Sequence, residues 1–101
     1  MGVKCVANRE KLTAYLAGEL DHHNASKIKE EIDNSISQDT KILVLDFKEL
    51  SFMDSSGIGV IIGRYKKMKR QNGAVYVKNM SGQMEKIFRM SGLDKIIKTL
   101  K

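Results

Sequence analysis

The chain has 101 residues, of which 42% are hydrophobic, and a formal net charge of +6 at pH 7. This composition fits one globular domain and argues against intrinsic disorder, and the longest apolar run is far too short to cross a bilayer. With one cysteine, Cys5, and no apolar leader at the N-terminus, we expect a reduced cytoplasmic protein that forms a single domain over residues 1–101.

The first half of the chain predicts two strands, one helix and a buried central strand. Alternating apolar residues indicate strands at Val3–Ala7 and Lys11–Gly18, and the polar residues between them suit a tight hairpin. Asn24 is the predicted N-cap of a helix whose apolar face repeats at steps of three and four, namely Ala25, Ile28, Ile32 and Ile36. The continuous apolar run from Ile42 to Phe47 is typical of a central strand.

The second half predicts two more helices and two more strands. One helix, which Gln71-Asn72-Gly73 ends, has a single apolar face: Ile58, Ile61, Ile62, Tyr65 and Met68. Ala74–Val77 and Ile96–Leu100 are predicted strands, and Ser81 caps a short helix between them. The resulting order, β-β-α-β-α-β-α-β, predicts an α/β fold with a small mixed β-sheet, an antiparallel first strand and helices packed against the sheet.

Asp54-Ser55-Ser56-Gly57 lies where the chain passes from the central strand into the second helix. Asp and Ser are favoured at helix N-termini because their oxygens accept the free N–H groups of the first turn. A hydroxyl at this position is well placed to carry a phosphate, which the positive end of the helix attracts. Because parallel strands end at one edge of a sheet, we expect Glu19, Asp21 and His22 to share a surface with the Asp54–Gly57 turn.

Two glycines inside the second helix, Gly59 and Gly63, each weaken it by about 1 kcal/mol relative to alanine. Close backbone packing on the sheet explains such positions, and we predict it for Gly63. For Gly59 the pattern leaves two explanations open, which are close packing and room for a partner near the helix start.

Catalysis, nucleotide binding and metal binding are poorly supported by the motifs. No Gly-x-Ser-x-Gly surrounds Ser55 or Ser56, and no third group completes a triad with His22 or His23. The glycines at 57, 59 and 63 are spaced wrongly for a dinucleotide fingerprint, the turn lies well beyond the predicted strand end, and no Gly-Lys-Ser/Thr phosphate loop is present. His22-His23 with Asp21 makes a poor metal site, because adjacent residues rarely direct both rings at one ion. We therefore predict a non-enzymatic protein without a cofactor or metal.

Charge is distributed unevenly along the chain. Residues 1–59 carry 7 basic and 10 acidic side chains, whereas residues 60–101 carry 11 basic and 2 acidic ones. A basic half suggests nucleic-acid binding. This half holds no recognisable nucleic-acid module and few aromatic residues, so we interpret it as a solvated basic surface, with an acidic protein partner as the alternative.

Several blocks, in order along nearly the whole chain, share one likeness: Gly18–His23, Leu50–Lys66, Met90–Leu93 and Lys95–Ile97. They resemble the STAS-domain family, in particular its sporulation anti-sigma factor antagonists. One departure from the family pattern is Ile58, where many relatives have leucine.

The resemblance implies that Ser55 is a phosphoacceptor and that the protein switches partners. Unphosphorylated, it would bind an anti-sigma factor that is also an ATP-using serine kinase of the SpoIIAB type, and so release the sigma factor. Phosphorylation on Ser55 would switch it off, and a serine phosphatase of the SpoIIE type is the second implied partner. The predicted partner-binding residues are Glu19, Asp21, His22, Asp54, Ser56, Gly57, Ile58 and Gly59. We expect no direct contact with nucleic acid or membrane.

Three alternatives stay open. Two lie within the family, a general stress-response antagonist and a nucleotide-binding STAS regulatory module. The third is a basic nucleic-acid binder, whose affinity would fall steeply with salt. Between the two kinds of antagonist, the Glu19–His23 block favours the sporulation branch.

Overall fold

A computed structural model describes residues 2–100 of the chain. Within them the elements are β1 Gly2–Asn8, β2 Lys11–Leu20, α1 Ala25–Ser35, β3 Ile42–Met53, α2 Ser55–Arg70, β4 Ala74–Lys78, α3 Gly82–Met90, a 3₁₀ helix Leu93–Lys95 and β5 Lys98–Leu100. The predicted order of strands and α-helices is confirmed. The final strand is shorter than predicted, since it begins at Lys98.

The strands form one mixed sheet in the order β1-β2-β3-β4-β5. β1 and β2 pair antiparallel through a hairpin in which Arg9 takes a positive φ of 58°, and every other neighbouring pair is parallel. A crossover must bring the chain back between parallel strands, so a helix follows each of β2, β3 and β4. The prediction of a small mixed sheet with an antiparallel first strand is confirmed.

The core lies between one face of the sheet and the helices. Alternation along the strands places the inward residues of β2 and β3 side by side, as with Leu12 and Leu43. All three helices contribute buried residues to the same cluster: Ile28, Ile32, Ile61, Met68, Met84 and Phe88. Phe88 also meets Phe47 edge to face, with the ring centroids 6.4 Å apart. Burying each such side chain stabilises the fold by about 1.5–3 kcal/mol.

β3 is longer than its apolar run predicts, because it continues beyond Phe47 to Met53. Polar and apolar residues do not alternate in this extension, but two register shifts allow it to pair with β2. As a result, Ala17 pairs with Glu49 and Leu20 with Met53. The expectation that the turn into α2 lies well beyond the strand end is therefore wrong. Only Asp54 separates β3 from α2.

The buried face of α2 differs from the predicted one. Ile61 and Met68 are fully buried, whereas the other predicted core residues are only partly buried: Ile58, Ile62 and Tyr65. Val60 and Arg64 are buried in addition, because α2 packs against α1 as well as against the sheet. The helix thus has a wider contact surface than a single apolar stripe indicates.

Of the three glycines within α2, Gly57, near the start of the helix, is the one that packs closely. An added Cβ there would lie 2.4 Å from the carbonyl oxygen of Leu20 and 2.5 Å from Cγ of Met53. At Gly59 and Gly63 an added Cβ would meet no described atom within 4 Å. The prediction of close packing at Gly63 is therefore wrong, and Gly59 leaves open space.

Candidate functional site

The loop between β2 and α1 and the start of α2 lie side by side at the carboxyl edge of the sheet. The backbone N–H of Asp54 donates to the carbonyl of Leu20 at 3.3 Å. The backbone N–H of His22 donates to Oδ2 of Asp54 at 3.2 Å. Two segments that are 32 residues apart in sequence thus form one hydrogen-bonded surface, which we call the loop–helix edge and define as residues 19–24 and 54–59.

Asp54 is the N-cap of α2. Its Oδ1 accepts the backbone N–H groups of Ser56 at 2.9 Å and Gly57 at 3.2 Å, while Oδ2 accepts that of His22 and lies 3.6 Å from the His22 imidazole Nδ1. Burial raises the pKa of the Asp54 carboxyl, but the hydrogen bonds from Gly57, His22 and Ser56 outweigh it and hold that pKa below its ordinary value. The carboxylate therefore stays ionised at neutral pH.

Ser55 is the first residue of α2 and its side chain is exposed. Because Asp54 caps the N-terminus of α2, the Ser55 hydroxyl takes no part in capping it. Among residues 2–100, it has no hydrogen-bond partner. Ser56, the next residue, is partly buried.

Asn24 occupies the N-cap position of α1 that the sequence predicts, but its side chain organises the loop instead of capping the helix. Its side chain makes no cap bond to the helix. Instead Oδ1 accepts the backbone N–H of Asp21 at 3.0 Å, and Nδ2 donates to the carbonyl of Glu19. Asp21 in turn accepts the backbone N–H of His23 through Oδ1 at 3.0 Å. The burial of Asn24, at 6% exposed, shows that it holds the loop in shape from inside.

The other predicted partner residues occupy different depths of the loop–helix edge. Glu19, His22 and Gly59 are exposed, and Asp21 is partly buried. The remaining two face inward: Ile58 packs on the core, and Gly57 is buried against Leu20. Gly57 therefore sets the distance between α2 and β2.

Arg64, which sequence reasoning did not single out, lies beside this edge. Its side chain is 6% exposed, and its Nε lies 3.0 Å from Oδ1 of Asp33 on α1. Burial lowers the pKa of the Arg64 guanidinium, although the neighbouring Asp33 charge opposes this shift. The sequence pattern gives no sign that Arg64 is buried, because it is a basic residue in a lysine-rich helix and lies outside the predicted apolar face. It faces α1 instead.

Residues 2–100 show neither a metal-binding cluster nor a membrane-spanning segment. They contain no group of three or more His, Cys, Asp or Glu side chains placed to hold a metal ion. The rings of His22 and His23 pack on each other, with centroids 4.0 Å apart. No helix in this part of the chain is long and apolar enough to cross a membrane.

Comparison with known proteins identifies the family. Residues 6–101 match the STAS domain. The chain belongs to the STAS domain family. An anti-sigma F factor antagonist of Paenibacillus polymyxa is 40% identical to this STAS domain over 91 residues, which cover 89% of the chain and 78% of the relative. An anti-sigma-B factor antagonist of Bacillus subtilis is 31% identical over 90 residues, covering 89% of the chain and 82% of the relative.

Two solved structures of SpoIIAA, one of them described as a Bacillus cell fate determinant, share the fold of this STAS domain. The unphosphorylated anti-sigma factor antagonist superposes with a TM-score of 0.77 and 30% identity, covering 99% of this chain and 88% of that one. The phosphorylated form superposes with a TM-score of 0.75 and 33% identity, covering 99% and 92%. The predicted STAS-like α/β fold is confirmed.

Proposed function

We propose that this STAS domain is an anti-sigma factor antagonist that works by switching partners. Unphosphorylated, it binds an anti-sigma factor that is also a serine kinase of the SpoIIAB type, and thereby frees the sigma factor. The kinase uses ATP to phosphorylate Ser55, and the modified protein no longer binds. A serine phosphatase of the SpoIIE type resets the cycle, which we place in the cytoplasm.

The state of Ser55 is the observation that carries this proposal. A kinase needs a hydroxyl that is accessible and not committed to the fold, and Ser55 meets both conditions at the first position of α2. The neighbouring carboxylate of Asp54 takes over the capping that a serine would otherwise provide. The similarity to SpoIIAA, which has a solved structure in its phosphorylated form, supports the proposal that this chain is also phosphorylated.

Phosphate at Ser55 would act locally. A phosphoserine adds about 1.5–2 negative charges at pH 7. At a helix N-terminus this charge meets the positive end of the helix dipole, which stabilises it by roughly 0.3–1 kcal/mol when exposed. The ionised Asp54 next to it opposes part of that gain. We therefore expect the fold to stay as it is, while the partner meets added bulk and negative charge at the loop–helix edge.

The partner surface that we propose surrounds Ser55. It comprises Glu19, Asp21, His22, Asp54, Ser56, Gly57, Ile58 and Gly59, of which the two inward-facing members, Gly57 and Ile58, shape the surface from below. Because this surface includes both segments of the loop–helix edge, the kinase would contact the loop before α1 as well as Ser55. The hydrogen bond from His22 to Asp54 keeps these segments together.

Between the two kinds of antagonist, we favour the sporulation type. The chain is 40% identical to the anti-sigma F factor antagonist of P. polymyxa and 31% identical to the anti-sigma-B factor antagonist of B. subtilis. The stress-response type remains the second candidate, and purified anti-sigma F and anti-sigma-B factors would separate the two by which one the chain binds.

The test of this function is phosphate mapping with matched serine variants. We expect the anti-sigma F factor of P. polymyxa with ATP to transfer one phosphate to the wild type, mapped to Ser55 by mass spectrometry. Ser55→Ala should fold, bind the anti-sigma factor and accept no phosphate. Ser56→Ala is the comparison variant, since it removes the adjacent hydroxyl, and any phosphate that it accepts should still map to Ser55. Stoichiometric phosphorylation of Ser55→Ala would show that the acceptor is another residue.

A further inference from the structure

A groove of about 210 Å³ runs between α1 and α2, next to the loop–helix edge. Its lining includes Ala25 and Lys29 from α1 and Ser56, Gly59, Gly63 and Arg64 from α2. The two glycines leave it open, because a Cβ at either position would meet no described atom within 4 Å. A side chain at either position would occupy part of the groove, so the two glycines keep it open.

Arg64 lies at this groove with its hydrogen-bonding capacity unused. Its Nε approaches Oδ1 of Asp33 to 3.0 Å, but the N–H does not meet the geometry of a hydrogen bond, and among the described residues the buried Nη1 has no partner. Asp33 is divided between two cations, because its Oδ2 also pairs with Nζ of Lys29 at 3.3 Å. A guanidinium carries five N–H donors, so this buried charge lacks acceptors.

The size and charge of the groove decide between possible occupants. Pockets for small-molecule ligands usually measure about 300–1,000 Å³, so a nucleotide is too large for this one. Both charged side chains in the lining, Lys29 and Arg64, are cationic. An arginine in a narrow apolar groove suits a carboxylate, which its planar fork binds through two parallel hydrogen bonds.

The groove also continues into the proposed partner surface. Ser56 and Gly59 belong to both, and Ser55 directly precedes the groove residue Ser56. A partner that covers Ser55 therefore reaches the mouth of the groove.

We infer that the anti-sigma factor inserts one acidic side chain, Asp or Glu, into the groove between α1 and α2, where its carboxylate pairs with Arg64. This inference rests on the proposed function and adds a second contact to it. Ser55 reports the phosphorylation state at the rim, and the groove anchors the partner beside it.

Filling the groove tests this inference without removing any charge. Gly63→Leu places a side chain in the groove, and Gly82→Leu is the matched control, because Gly82 is a helical glycine with equally open surroundings on α3. Calorimetric titration with the anti-sigma F factor of P. polymyxa should show binding weakened by about tenfold or more for Gly63→Leu, as expected when a central contact is lost, and unchanged for Gly82→Leu. Circular dichroism and urea unfolding check that both variants are folded.

A double-mutant cycle then identifies the acid. Arg64→Lys keeps the charge but loses the planar fork, so it should bind more weakly than the wild type and less weakly than Arg64→Gln. One alanine substitution among the acidic residues of the anti-sigma factor should weaken binding to the wild type while having little effect on binding to Arg64→Gln.

The outcomes separate the two proposals. Equal binding by the wild type and Gly63→Leu would overturn the groove contact while leaving the antagonist function in place. Perturbation of Gly59, Gly63 and Arg64 NMR signals by ATP alone would show a phosphate ligand and also overturn it. Absence of wild-type binding to both anti-sigma F and anti-sigma-B factors would overturn the proposed function, and the groove contact with it.

Discussion

The starts of α2 and α3 use similar residues in different ways. At α3, Ser81 is the N-cap, and its Oγ accepts the backbone N–H of Met84 at 3.1 Å. At α2, the carboxylate of Asp54 takes that role, and Ser55 begins the helix with a free hydroxyl. A serine that caps a helix has its hydroxyl engaged by the backbone, whereas a serine next to an aspartate cap keeps its hydroxyl free of that bond. Ser81 supports the fold, whereas Ser55 is the residue that we propose a kinase modifies.

The two helix starts also differ in how they meet the sheet. Gly57 of α2 packs against the carbonyl of Leu20 at the end of β2, so closely that no side chain fits. Gly82 of α3 has open space around it. The start of α2 is therefore fixed against the strand that leads into the β2–α1 loop, and this contact positions Ser55 relative to His22.

The largest effect that we expect comes from adding one methyl group at Gly57, with the same change at Gly82 as the control. In Gly57→Ala the new Cβ would lie 2.4 Å from a backbone oxygen, which forces α2 and β2 apart. Overpacking of this kind costs about 1–3 kcal/mol, so the free energy of unfolding should fall by about 2 kcal/mol. Gly82→Ala, the control, should leave it unchanged or raise it by up to about 1 kcal/mol, because alanine favours the helix and meets no neighbour there. Urea unfolding measures both, and equal values would remove the difference argued between the two helix starts.

How far the sequence predicts this arrangement depends on the range of the interactions involved. The caps at Asp54 and Ser81 are local, so residue type and spacing suffice to predict them. The close packing at Gly57 depends on Leu20, which is distant in sequence and becomes a neighbour only through the parallel pairing of β2 and β3. The same limit explains the wrong prediction at Gly63, where the sequence indicates a missing side chain but not the groove beside it.

A similar argument applies to β3 and Arg64. The strand's extension to Met53 depends on register shifts against β2, which interrupt the alternation that indicates a strand. Arg64 is charged, and charged residues are rarely buried unless paired, so a sequence pattern assigns it to the surface. Its burial follows from the packing of α2 on α1, where Asp33 faces it. The roles of the predicted partner residues stay predictions until binding is measured.

A smaller effect should separate the two serines by stability alone. Ser81→Ala removes the cap of α3, and the loss of a serine cap typically costs about 1 kcal/mol. Ser55→Ala removes an exposed hydroxyl with no described partner, so the free energy of unfolding should change by less than about 0.5 kcal/mol. Urea unfolding of the two variants at pH 7 checks this order. A larger loss for Ser55→Ala would mean that its hydroxyl supports the fold after all.

The smallest effect that we expect is a pH dependence that belongs to the start of α2 and has no counterpart at α3. The pKa of Asp54 is lower in the folded protein than its ordinary value, because three backbone N–H groups stabilise the carboxylate more than its burial disfavours it. At a pH above the unfolded value of about 3.9, both states are ionised and this stabilisation is fully present. As the pH falls below that value the unfolded chain takes up the proton first, so the stabilisation declines and is lost as the pH passes through the folded pKa.

Asp54→Asn isolates this contribution. Asparagine is also a good N-cap and accepts hydrogen bonds through its one carbonyl oxygen, but it does not titrate. The difference in free energy of unfolding between the wild type and Asp54→Asn should therefore be fully present at about pH 5 and should shrink below about pH 4. The same comparison with Ser81→Asn, at the start of α3, should show no such change, because neither serine nor asparagine ionises in this range. If the difference in free energy of unfolding between the wild type and Asp54→Asn stays constant down to about pH 3, the cap bonds do not favour the charged carboxylate over the neutral one.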